Sequence, residues 1–144
     1  MGTKRVGLAR VEALIENLKR EITLGAGTIL GGLALGAQTV AAAGDGSLAQ
    51  ATAIGATDGS VVLVTGADGT KAVALPAIAD LSLGHIYLIQ NSSGSTLEVL
   101  PQAADKISPA ADGAGITVAA NAMLVVAVAD ATQWVGFEPT VIAA

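Results

Sequence analysis

The side chain best suited to proton transfer in this 144-residue chain is its single histidine, His85, and there is no cysteine to accompany it. Hydrolysis by a triad needs a nucleophile, a base and an orienting acid, and a zinc site needs three or four ligands. One imidazole assembles neither, and His85 opens the apolar run HIYLIQ, so it reads as structural. The carboxylates Asp45, Asp58, Asp68, Asp80, Asp105, Asp112 and Asp130 sit mostly in turn-like stretches, where Asp braces the backbone locally. No D-x-[DN]-x-[DN]-G loop is present, which leaves calcium only to carboxylates gathered by subunit contact. A paired-carboxylate glycosidase needs acids in a sugar cleft with aromatic platforms, and Phe, Trp and Tyr occur once each. Gly25-Ala26-Gly27 lacks both the preceding strand and the G-x-G-x-x-G spacing of a dinucleotide loop. The expectation is a protein without catalytic site, cofactor or metal.

Charge narrows the partners. Met1–Ile22 holds five basic and three acidic residues, and the remainder two basic and nine acidic, for a net charge of −5. A body so acidic, with almost no aromatic rings, lacks the clustered cations and stacking platforms of a nucleic-acid surface. With 18 glycines and few large side chains, a lone subunit is short of filling, and burial against copies of itself supplies the missing stability. A homo-oligomer is expected.

The N-terminal stretch, residues 1–23, reads as an amphipathic helix that could enter a coiled coil. Leu8, Val11, Ile15, Leu18 and Ile22 recur at steps of three and four, the seam positions of a heptad pattern. A helix this short is marginal in water, so the stripe needs a partner. Either it packs on its own β domain, or it serves assembly by bundling with copies or docking on a larger particle, and the narrow seam favours assembly. Residues 24–59 follow as a Gly/Ala-rich arm or linker. Leu24–Ala43 has twenty residues without a charge, the length of a membrane span, but its five glycines, internal Thr28, Gln38 and Thr39, and missing aromatic belt argue for an extended arm instead.

Residues 60–138 read as a β domain, with residues 139–144 as a tail. Val61–Thr65 and Lys71–Leu75 fit a hairpin with Asp68-Gly69 at its corner, and Asn91-Ser92-Ser93-Gly94 supplies a second corner between His85–Gln90 and Thr96–Leu100. Asn91-Ser92-Ser93 matches a glycosylation acceptor as well, but the turn reading prevails. Met123–Val128 is apolar at every position, as in a central strand or one covered by a neighbouring subunit. Tyr87, Trp134 and Phe137 are the expected core anchors, because a chain so poor in aromatics needs them for packing. The fold class expected is mainly β: a small antiparallel β-sandwich or barrel-like domain, preceded by the helix and the arm.

The order of these parts carries a resemblance. Leu75-Pro76, then Gly84-x-x-Tyr87-x-Ile89-x-Asn91, Leu97-x-Val99-x-Pro101, Asp105-x-Ile107 and Asp130-x-x-x-Trp134 together resemble the small β domain that recurs in virion proteins of tailed bacteriophages, in tail and head fibres and in capsid-decorating proteins. The resemblance spans roughly Ala51 to Phe137. It implies a structural virion protein, a trimeric capsid decoration or cement protein or a short head fibre, assembled in the host cytoplasm and contacting the major capsid protein or another virion protein. The alternatives are a receptor-binding tail-fibre or tail-tip module and, further off, a small membrane-anchored protein.

Overall fold

The computed structural model describes residues 10–13, 35–111 and 113–137. The chain divides into two compact units, Met1–Ala34 and Leu35–Ala144. In the first, residues 10–13 are helical with exposed side chains. Of the predicted seam Val11 lies among them, 49% exposed, whereas Leu8, Ile15, Leu18 and Ile22 lie outside the described residues, as do residues 24–34 of the arm. No helix among the described residues is long and apolar enough to cross a membrane.

The second unit is mainly β. Its strands are β1 (Ala37–Ala41), β2 (Thr52–Ala53), β3 (Val61–Thr65), β4 (Ala72–Ala74), β5 (Ile86–Asn91), β6 (Leu97–Leu100), β7 (Lys106–Ser108), β8 (Ile116–Val118), β9 (Met123–Val128) and β10 (Gln133–Phe137), with one 3₁₀ turn at Ile78–Asp80. They form a six-stranded sheet in the order β1-β3-β5-β9-β10-β7 and a four-stranded sheet in the order β2-β4-β6-β8. From β1 to β6 the chain alternates between the sheets, and each new strand lies parallel to the one before it in the same sheet. The path is a solenoid-like coil. β8 and β9 then run antiparallel to β6 and β5, and β10 enters between β9 and β7.

This overturns the antiparallel sandwich and both predicted hairpins. Val61–Thr65 and Ala72–Ala74 belong to different sheets, as do Ile86–Asn91 and Leu97–Leu100. The reason lies in the corners. Asp68 Oδ1 accepts the Thr70 amide at 3.0 Å and the Thr70 hydroxyl at 2.8 Å, which shapes a wide bend where a two-residue hairpin turn was expected. The same device recurs with Asp45 and the Ser47 amide at 3.1 Å and with Asn91 and the Ser93 amide at 3.0 Å. Successive corners then bond to one another: the Ala67 amide donates to Ser93 Oγ at 3.0 Å, and the Gly69 amide to the Thr96 carbonyl at 3.1 Å.

The β body also begins earlier than residue 60. Residues 35–59, expected in the arm, contribute β1 and β2 and bury Val40, Ala42 and Ile54. Gln38 fixes this segment: its amide nitrogen donates to the carbonyls of Gly55 at 3.1 Å and Gly59 at 2.7 Å, while its oxygen accepts the Gly55 amide at 3.1 Å. Between the sheets lies one apolar cluster. Val62, Val64, Tyr87, Ile89, Leu124, Val126 and Trp134 face Val73, Leu75, Leu97, Val99 and Val118 within it. Met123–Val128 lies inside the six-stranded sheet, between β5 and β10.

Candidate functional site

His85 stands just before β5, and its Nε2 lies 3.4 Å from Ser60 Oγ, at the foot of the neighbouring parallel strand β3. Its ring lies 4.9 Å from that of Tyr87. A hydroxyl and an imidazole at 3.4 Å form a weak bond, and no carboxylate among the described residues bonds the other ring nitrogen. The pair fastens adjacent strands. Tyr87 is fully buried, with its hydroxyl donating to the carbonyls of Ala56 at 3.2 Å and Gly55 at 3.4 Å. Burial first, and the negative charge of Asp58 second, push the phenol's pKa above its ordinary value.

Four of the carboxylates are engaged with backbone. Asp105, buried, accepts the Ile78 amide at 3.0 Å and so holds the 3₁₀ turn. Asp130 accepts the Thr132 amide at 2.8 Å. Asp68, besides its bonds to Thr70, pairs with Lys71 at 3.1 Å; these hydrogen bonds and the ammonium lower its pKa to about 2. Asp45 is lowered by the hydrogen bonds from Ser47. Asp112 lies outside the described residues. Among the described residues, no three His, Asp or Glu side chains gather around a point that could hold a metal ion.

What the fold does assemble is a surface. Successive residues of a strand point to opposite faces, so with Val62, Val64, Tyr87, Ile89, Leu124, Val126 and Trp134 turned inward, the alternate positions of the six-stranded sheet point outward. Strand register sets them in rows. Thr39, Leu63, Gln90 and Met123 form one. Ala37, Val61, Leu88, Val125 and Phe137 form the next, and Ile86, Ala127, Val135 and Ser108 the third. Leu63 is 41% exposed, Ile86 48% and Phe137 59%. On these six strands the one charged outward residue is Lys106, on the edge strand β7. The four-stranded sheet differs: of the positions that alternate away from the core, Ala72, Ala74 and Leu100 are themselves buried, and Glu98 and Thr117 are polar.

Of the expected core anchors, Tyr87 and Trp134 are fully buried with ring centroids 6.0 Å apart, whereas Phe137 is not in the core. Trp134 and Phe137 are three residues apart on one strand, so the alternation that turns Trp134 inward turns Phe137 outward. The outward residues Val61, Leu63, Ile86, Leu88 and Val135 escaped the sequence reading. Their signal was the near-absence of charge at alternate positions of strands whose inward positions were already apolar.

Shallow hollows also mark the surface of the described residues. One of about 300 Å³ is lined by Pro109, Ala110, Ile116 and Gly136. Another, of about 470 Å³, lies between the 3₁₀ turn and the β9–β10 turn, with Ile78, Leu81, Leu83 and Asp130 at its walls. Comparison with protein-family models, curated proteins and solved structures found no match.

Proposed function

We propose that this chain is a structural component of a tailed-bacteriophage particle, a homotrimer that decorates or cements the capsid or forms a short head fibre, and that it carries no catalytic site. The supporting observation concerns the pattern that resembles the phage β domain. Leu75, Pro76, Tyr87, Ile89, Asn91, Leu97, Val99, Pro101, Asp105, Ile107 and Trp134 are all buried. The two remaining positions shape turns: Gly84 has a φ of +79°, and Asp130 accepts the Thr132 amide. The pattern therefore falls on residues that determine a fold and not on a replaceable surface. The outward apolar sheet suits a protein that works by assembly.

Two measurements on particles test the proposal. The copy number of this chain relative to the major capsid protein in purified virions separates the roles: hundreds of copies mean decoration, a dozen or fewer mean a fibre, and none refutes a virion role. Added to particles that lack it, a variant without Met1–Ile22 should keep its β circular dichroism and lose occupancy. Full occupancy would remove the N-terminal stretch as the anchor.

A further inference from the structure

We propose that the outward face of the six-stranded sheet is where copies of this chain meet. The inference rests on the assembly reading above and deepens it by naming the surface and its occupant.

Charge selects the occupant. In the described β unit, Asp45, Asp58, Asp68, Asp80 and Asp130 lie exposed at corners and turns, and Glu98 lies on the four-stranded sheet. A basic partner is drawn to those places, while two copies of a molecule with net charge −5 repel each other through them. The outward face of the six-stranded sheet, charge-free inside its edge strand, is where like copies approach without opposing like charges or burying an unpaired one. Desolvation is mild there as well. The amide nitrogen of Gln90 already donates to the carbonyls of Asn91 at 3.1 Å and Asn121 at 3.0 Å within its own chain, so covering it strands no donor.

Size agrees. Six strands at about 4.8 Å spacing and about 17 Å length present a plan area of roughly 500 Å². Three such faces turned toward one axis bury roughly 1,500 Å² in the trimer, within the range of specific interfaces, and one alone is at the upper range of apolar patches that monomers leave open.

Because the chain has no cysteine, a single introduced thiol reports its own cover. The full-length variants Leu63→Cys, Leu88→Cys and, as control on the four-stranded sheet, Thr117→Cys are to be reacted with a maleimide while light scattering records mass. The expected result is an oligomer in which the first two thiols react at least about tenfold more slowly than the third. Charge placed on the face, as in Leu63→Glu with Leu88→Glu, should give monomers that keep their β circular dichroism. An oligomer whose Leu63→Cys and Leu88→Cys thiols react as fast as the control places the contact elsewhere and overturns the proposal. Protected thiols in a monomer mean cover from the same chain and overturn it too, as does a monomer with reactive thiols. None of these outcomes alters the copy number on particles, so the virion reading stands or falls separately.

Discussion

The side-chain amide of Asn91 donates to the backbone carbonyl of Ala119 at 3.0 Å, tying the corner that leaves β5 in one sheet to the chain just past β8 in the other. The same nitrogen bonds the Ser95 carbonyl at 2.8 Å and reaches Val118 at 3.4 Å, while the side-chain oxygen accepts the Ser93 amide. Asn91 is fully buried, so its own amide depends on these partners, while the Ala119 carbonyl also accepts the Ala122 amide at 3.1 Å.

Asn91→Ala should therefore destabilise the β unit by about 2–4 kcal/mol, since it empties a fully buried position and removes the bonds that join the two sheets there. Asn91→Asp should be at least as damaging, because a carboxylate cannot donate to three carbonyls. Urea unfolding followed by circular dichroism measures both, and a loss below about 0.5 kcal/mol would show that the clamp is idle.

Trp134→Ala should cost about 3–5 kcal/mol at any protein concentration, as expected for emptying a core site of that size. Phe137→Ala removes a ring that lies outside the core, so whatever loss it causes should grow on dilution, the signature of an effect on association. Matched denaturation curves at two concentrations distinguish the two behaviours.

The lone tyrosine permits a direct titration. Burial and Asp58 disfavour the phenolate of Tyr87, so absorbance at 295 nm should give a midpoint above the ordinary value of about 10. A pKa raised by folding means that the associated stability is complete below that ordinary value and is lost as pH climbs through the folded one. The protein should accordingly unfold more readily in alkali. A midpoint at or below 10, with the fold intact, contradicts the burial of this side chain.

Gly59 has a φ of +128°, and a Cβ there would lie 2.3 Å from the Gly36 carbonyl carbon. Gly59→Ala should lower stability by about 2–4 kcal/mol by forcing β1 away from the loop that Gln38 holds. Gly94→Ala, at an exposed corner with nothing within 4 Å of the added carbon, should change stability by less than about 0.5 kcal/mol. Equal effects would mean that residues 35–59 are not integrated into the body.

Most strand positions after residue 60 were legible in the sequence because apolar alternation reports a strand directly; β1 and β2, which fell in the expected arm, were not, nor were strand partners, because a period of two says nothing about which neighbour a strand meets. Asp68-Gly69 fits a hairpin turn and a coil corner equally well as a sequence. The spacing of corners held the missing information: Asp45, Asp68 and Asn91 lie 23 residues apart, each followed two positions later by Ser or Thr. Leu75-Pro76 with Asp80 and Leu100-Pro101 with Asp105 repeat at 25. A recurrence near that length is the mark of stacked coils, and the Leu75 amide does bond the Leu100 carbonyl at 2.8 Å. The outward apolar face was less legible still, since it depends on registers that pair Val61 with Leu88 and Leu88 with Val125.

The placement of β10 between β9 and β7 bears on biosynthesis. In the six-stranded sheet β7 pairs with β10 alone, so a ribosome that has made Lys106–Ser108 has made an edge with nowhere to attach until Gln133–Phe137 emerges. A nascent or prematurely terminated chain ending at Val128 would hold the coil from β1 to β6 with one flank of β9 unpaired and the space of Trp134 unfilled. Such a product offers quality-control proteases a strand edge, and completion of the last strand is the step that closes it.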